Sequence, residues 1–464
     1  MTVNSDDKIE EGFLSLQDDE SDEGSVAILP LAKDPDDPIP ALRELQARML
    51  NVGPEGKSSG LGAEETVVLL SDPEGLAPKQ AALSTWAYAL ATLFDGLRTA
   101  REVAEEFGRK YGQPVPVEQA LELQRELDKA NFLYSERFEK ALKKQLQTFL
   151  ECDVRPAVHA GTSYPSEPKA LEVTIENFFS DPDGPGALNL AAIDKTLQTG
   201  APMGLVLPHI DLQVGGATYA HGYKHLIENS QAELIFILGI AHKTPGEGMF
   251  FVSRKDYDTP LGVLKTEKSI AARLQAAAGI KPDLAEMAHR TEHSIEFQAV
   301  LLSALLAKGL KREIQIVPVL CGFIDSYLID DVNPFGAPEF VKFTRALRAE
   351  LENCNRPWSI MCSVDLSHVG PEFGHSTMMT EKLLPPLERA DRKLLKIMES
   401  MDATGVYNEI VRTQNSRHVD AVIAVLTMLQ ACDGIFKTGR LLDYSQMLKN
   451  ETHSAVSYAS MLFQ

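Results

Sequence analysis

The amino-acid sequence predicts an α/β protein, a mostly parallel sheet flanked by helices on both faces, preceded by a small, mainly helical, winged-helix-like domain. Three observations predict it. From Val154 onward, short apolar runs alternate with longer helical segments; polar clusters sit directly after those runs or between them; and the first 150 residues carry a different, helix-dominated pattern. Parallel strands covered by helices on both faces read as continuous apolar runs, which is the pattern seen here.

Residues 1–60 read as an acidic tail and linker. The stretch to Glu23 holds Asp6, Asp7, Glu10, Glu11, Asp18, Asp19, Glu20, Asp22 and Glu23 with few apolar side chains, too few to offset the entropy of ordering. Residues 34–62 are rich in Pro and Gly, with a short helix expected over 41–50. Residues 61–150 form the winged-helix-like domain. Leu83, Trp86, Leu90 and Phe94 recur at helical spacing and stop at Asp95-Gly96. Thr99 and Glu102 spell a capping box for a second helix that ends near Gly112. Val117, Leu121 and Leu127 mark a third helix, residues 131–138 an apolar run suited to a wing strand, and residues 139–150 a connecting helix. Winged helices often bind DNA, but residues 1–150 hold 28 acidic and 16 basic residues. That balance favours a protein partner over nucleic acid.

The strands of the large domain, residues 151–464, are read at 204–208 (GLVLP), 234–238 (LIFIL), 314–320 (IQIVPVL) and 359–363 (SIMCS). Helices are expected between them at 295–310, 340–353 and 381–400. The net charge of −21 excludes a generic nucleic-acid binder, since phosphate contacts need surplus Lys and Arg. Five cysteines without CxxC spacing fit a reducing compartment. No basic-then-apolar leader and no apolar run near 20 residues is visible, so a soluble cytoplasmic protein without membrane partners is expected.

The chemistry sits in the polar clusters. The first strand runs into Pro208-His209-Ile210-Asp211, the second into Gly239-Ile240-Ala241-His242, and the fourth into Ser363-Val364-Asp365-Leu366-Ser367-His368. A further cluster, Ala288-His289-Arg290-Thr291-Glu292-His293-Ser294-Ile295-Glu296, precedes the third strand. Carboxyl ends of parallel strands share one sheet edge, so these histidines can meet in one crevice. Neutral imidazole is the commonest protein metal ligand, and two histidines with a carboxylate suit non-haem Fe(II). A lone histidine is as readily a hydrogen-bonded core residue; three placed directly after apolar strands point to a shared pocket. His293 is expected to join it in a catalytic role, with Glu296 orienting a neighbour. The alternative is a helix-start motif in which Glu292 faces the dipole's positive end.

Read in order, HAGTSYP (159–165), PHID-x3-GG, ILGIAH, TPLG (259–262), AHRTEHSIE, IVPVLCG, SVDLSHVGPEFG and SAVSYASM resemble the Memo family over residues 154–464, and specifically its bacterial branch called AmmeMemoRadiSam system protein B. That fold is similar to the LigB-type class III extradiol dioxygenases. The resemblance implies His209 and His242 as metal positions, His368 as catalytic base, and Fe(II) or Cu as cofactor. It also implies protein partners of a radical-SAM and Ammecr-type system. One position departs: Asn415, in Thr413-Gln414-Asn415-Ser416-Arg417-His418, stands where Memo proteins carry a cysteine ligand. An amide is a much weaker ligand than thiolate or carboxylate. Asp211, two residues from His209 on an extended segment, is expected to supply the missing anion, with His418 as the other candidate. Two functions follow: a metal-dependent, dioxygenase-like oxidoreductase acting on a small molecule, or a non-catalytic scaffold that uses the same pocket to recognise a peptide or small ligand.

Overall fold

The computed structural model describes residues 26–52, 65–72, 76–77, 80–189, 201–244, 248–307, 313–330 and 332–464. The acidic tail expected over the first 23 residues lies outside them. The chain divides into two compact units, Met1–Glu151 and Cys152–Gln464.

The first unit differs from a helices-then-wing order. A three-stranded antiparallel sheet, β1 (Gln46–Val52), β2 (Glu65–Ser71) and β3 (Ala81–Ser84), comes first. Four helices follow: α1 (Thr85–Ala91), α2 (Ala100–Tyr111), α3 (Val117–Lys129) and α4 (Glu136–Glu151). The helix expected over 41–50 is largely strand, because pairing of Gln46–Val52 with β2 overrides the helix preference of Ala, Arg, Met and Leu. No strand forms over 131–138. Phe132 and Leu133 point into the core instead, fully buried beside Leu90, Val103, Phe107 and Leu127. The capping box is present: Thr99 Oγ1 accepts from Glu102 N at 3.2 Å, and Glu102 Oε2 accepts from Thr99 N at 2.9 Å.

The second unit is built on a nine-stranded mixed sheet. Strands β4 (Val154–Arg155) and β8 (Asp256–Tyr257) pair separately. At the centre, β5 (Met203–Leu207), β11 (Trp358–Ser363), β6 (Leu234–Ile240) and β10 (Gln315–Cys321) run parallel in that spatial order. Beyond β10 lie β7 (Phe250–Val252), antiparallel, and β9 (Lys265–Thr266). Beyond β5 the antiparallel strands β14 (Ser454–Phe463), β13 (Gly439–Lys449) and β12 (His368–Val369) complete the sheet.

Alternation along the central strands assigns the two faces. Leu234, Phe236, Leu238 and Ile240 of β6 join one core with Val317 and Val319 of β10 and Ile360 of β11. Ile235 and Ile237 join the other, with Leu205, Leu207 and Met361. Helices α7 (Lys268–Ala278), α11 (Pro338–Glu352), α12 (Leu384–Glu399), α13 (Ala403–Thr413) and α14 (Val422–Ala431) contribute to the first core. Helices α5 (Pro168–Ser180), α6 (Leu212–Asn229), α8 (Pro282–His289) and α9 (His293–Ala307) contribute to the second. A short helix, α10 (Asp325–Ile329), follows β10. The paired glycines of the sequence have a packing reason: a Cβ on Gly216 would lie 2.2 Å from the Phe178 ring, so only glycine lets α6 approach α5 this closely.

Register then brings the polar clusters together. Leu207 pairs with Ser363, and Cys362 with Leu238, so the segments leaving β5, β11 and β6 emerge side by side. Among the described residues, no helix is long and apolar enough to cross a membrane.

Candidate metal centre

His209 leaves β5, His242 leaves β6, and His293 opens α9, and the three imidazoles meet. Their ring centroids are 4.9 Å (His209–His242), 5.2 Å (His209–His293) and 4.8 Å (His242–His293) apart. One ring nitrogen from each lies within 4.8 Å of the others, forming the group of metal-ligating type found among the described residues. His209 is the buried floor; His242 is exposed and His293 half-buried.

Each ring is held by its Nδ1. His209 Nδ1 sits 3.0 Å from the Ser363 carbonyl oxygen. A carbonyl only accepts, so Nδ1 carries the hydrogen and Nε2 keeps its lone pair while that ring is neutral. Glu292 does the same for two rings: its Oε1 lies 3.1 Å from His242 Nδ1 and 3.1 Å from His293 Nδ1. Glu292 also accepts from the backbone of His242 at 2.9 Å and of Ser294 at 3.0 Å. Burial opposes its charge, yet hydrogen bonds from His242 and His293 hold its carboxyl well below the usual range. Rings fixed through Nδ1 by outer acceptors, with one nitrogen from each within 4.8 Å of the others, are what a metal site requires once the rings are neutral.

Two acidic groups close the floor. Asp365 Oδ1 accepts from His209 N at 3.1 Å, and Asp365 N in turn donates to Asp420 Oδ1 at 3.1 Å. Asp420 Oδ2 lies 3.2 Å from His209 Nε2 and 3.9 Å from His368 Nε2, yet it is buried without any hydrogen bond. The donor set therefore fits a cation: converging imidazole nitrogens beside a buried, unsatisfied carboxylate oxygen. Burial opposes charge on His209, but Asp365 and Asp420 outweigh it and push its pKa up to about 10. Burial pushes His293 the other way, to about 4, with the neighbouring rings opposing charge as well.

His368 stands at the rim, with Nδ1 3.2 Å from the His418 carbonyl oxygen and its ring edge-on to Phe373. Asp211 is engaged elsewhere. It caps α6, its Oδ1 accepting from Gln213 N at 2.8 Å, and it stands outside the histidine group. His418 turns to His375, ring centroids 4.5 Å apart, and does not join the group. Asn415 is closed on its own loop, Oδ1 accepting from Val419 N at 2.9 Å and Nδ2 donating to Val419 O. Glu296 orients none of the three rings; it pairs with Arg155 at 2.5 Å and accepts from Tyr164. The orienting role belongs to Glu292. Sequence reasoning passed over Asp420. Its signal was available: an acid immediately before an apolar run, the mirror image of the histidines placed immediately after one.

An α/β sheet with imidazoles gathered at the carboxyl edge of its parallel strands defines the class of protein. The chain belongs to the Memo-like protein family, whose model matches residues 155–462. A MEMO1 family protein of Aquifex aeolicus (strain VF5) is 29% identical over 401 residues, covering 85% of this chain and 95% of its own length. Those of Thermococcus onnurineus (strain NA1) and Methanobrevibacter smithii are 25% and 26% identical, each across 67% of this chain and 98% and 99% of their own. An alignment of 401 residues is longer than the whole second unit, so the Aquifex protein shares part of the first unit as well.

Proposed function

We propose that this chain is a metal-dependent, dioxygenase-like oxidoreductase that binds one divalent cation at the carboxyl edge of its sheet and acts on a small polar or aromatic molecule. One observation carries the reading: His209, His242 and His293 each have Nδ1 engaged by a fixed acceptor, while one ring nitrogen from each converges within 4.8 Å. A bound Fe(II) or copper ion would supply Lewis acidity toward a substrate oxygen and a redox couple.

The chain's own residues do the remaining work. His209, His242 and His293 hold the ion, and Glu292 fixes two of the rings so that little ordering entropy is lost on binding. His368 acts as the base. Its Nδ1 faces the carbonyl oxygens of Leu366 and His418, so Nε2 is the nitrogen free to take a proton from a substrate hydroxyl. Asp420, 3.9 Å from that nitrogen, stabilises the imidazolium that results. Phe323, edge-on to His242, and Phe373, edge-on to His368, give the mouth apolar walls for the body of the molecule.

Anaerobic purification followed by elemental analysis tests this reading. About one iron or copper per chain is expected, lost in His242→Ala while the fold is kept. Metal content unchanged by His209→Ala and His242→Ala would overturn it.

A further inference from the structure

Asn415 stands where the family resemblance places a cysteine, and its amide is closed on Val419 rather than facing the imidazoles. The loop around it is unusual. Gln414, Asn415 and His418 all adopt left-handed backbone conformations, φ 50°, 44° and 47°. Such conformations are unfavourable for most non-glycine residues, less so for Asn, and three within five residues persist only where the surroundings enforce them. Here the loop is tied by His418 N donating to Asn415 O at 2.7 Å and by the two Asn415–Val419 bonds. Its outcome is to deliver the next residue, Asp420, beneath His209.

The Asp420 carboxylate has divided roles. Oδ1 accepts from Asp365 N, which fixes the group, and Oδ2 is left buried and unbonded 3.2 Å from His209 Nε2. A charge-assisted N–H···O bond would bring those atoms to about 2.7–2.9 Å. Two ligand atoms on one ion, with bonds near 2.1 Å and angles between 90° and tetrahedral, are about 3.0–3.4 Å apart. The observed separation falls in the second range. Oδ2 is buried without a hydrogen bond and faces the His209 and His368 imidazoles; once those rings are neutral, a bound cation would compensate its charge.

From this juxtaposition we infer that Asp420 is the anionic ligand of the centre, placed beside His209 and adding one carboxylate oxygen to the imidazoles of His209, His242 and His293. The assignment rests on the metal-binding reading above and adds its donor chemistry. The ligands are nitrogen and oxygen without sulfur, since Cys321, Cys362 and Cys432 are buried and none joins the group. Such a set takes Fe(II) or Co(II) in preference to Cu(I), which seeks thiolate.

The test uses Co(II) as a spectroscopic probe on the full chain. Wild type is expected to take up one Co(II) with visible d–d bands. Asp420→Asn, which keeps the acceptor for Asp365 N, weakens uptake by about tenfold or more and shifts the bands, as expected when a charged ligand is lost. Asp420→Glu retains binding with altered bands, and serves if the amide variant fails to fold. Cu(I) uptake is expected to be weaker than Co(II) uptake. Wild-type affinity and an unchanged spectrum in Asp420→Asn, or unchanged bands in Asp420→Glu, overturn the assignment alone. A wild-type chain that takes up no ion defeats both the assignment and the reading beneath it.

Discussion

Glu292 holds His242 twice, accepting from its backbone N–H at 2.9 Å and from its ring Nδ1 at 3.1 Å. The same carboxylate reaches His293, so one residue sets the direction of two of the three imidazoles. Neutralising it removes charge assistance from both rings without removing either candidate ligand. Glu292→Gln is expected to lower cation affinity by about 10–100-fold while secondary structure is retained. A competition titration beside far-ultraviolet circular dichroism checks this; unchanged affinity would separate Glu292 from the site.

His209 gives the site a pH dependence whose sign can be worked out. In the cation-free protein its pKa stands at about 10, raised by Asp365 and Asp420 against burial, above the ordinary value near 6.5. Protonated His209 therefore adds stability fully present below about pH 6.5 and lost as pH rises toward 10. Between pH 7 and 9 that slope is about 1.4 kcal/mol per pH unit for one proton. A cation needs the unprotonated ring, so its apparent affinity rises about tenfold per pH unit over the same interval. His293, held down to about 4, is already neutral and adds no proton to this count. In thermal melts at pH 7, 8 and 9, stability should fall with pH without cation and stay nearly level with saturating cation, because the rising affinity offsets the falling apo stability. Parallel slopes would remove His209 from the centre.

The parts of the fold legible in the sequence were those written in local pattern. Runs such as Leu234–Ile240 could only be strands covered on both faces, and the residue following such a strand must lie at the sheet edge. His209 and His242 were therefore found directly, and His293 by its cluster. Asp420 was passed over: an acid before an apolar run was visible, but its placement beneath His209 depends on three left-handed residues that no hydrophobic period announces. The Gln46–Val52 strand was misread for a related reason: its residues suit a helix, and only its partner Glu65–Ser71 makes it extended. The orienting role expected of Glu296 falls instead to Glu292, four residues earlier and just ahead of the helix. Spacing shows that two carboxylates share a face, not which one meets a histidine and which one meets Arg155.

Asp211 separates capping from ligation. Its carboxylate serves Gln213 N at the start of α6, at 2.8 Å. Asp211→Ala is expected to cost about 1 kcal/mol through the lost cap and to leave cation content at the wild-type level. Loss of the ion without loss of stability would return Asp211 to the centre.

Arg155 carries the most demanding structural role around the site. It is fully buried, and its guanidinium donates to the carbonyl oxygens of His289 (2.6 Å) and Glu292 (2.8 Å) and to Glu296 (2.5 Å). The Glu292 contact ties this network to the backbone that presents His293. Removing one partner of a buried ion pair leaves the other charge uncompensated, a loss of about 3–5 kcal/mol. Arg155→Met should therefore destabilise the second unit by that amount. Arg155→Met combined with Glu296→Gln should recover part of it, because the double change leaves no orphaned charge, though the carbonyls of His289 and Glu292 still lose their donors. Chemical denaturation of the two variants reads the difference. If the double variant is no more stable than the single, the network holds the site through its carbonyl contacts and not through the ion pair.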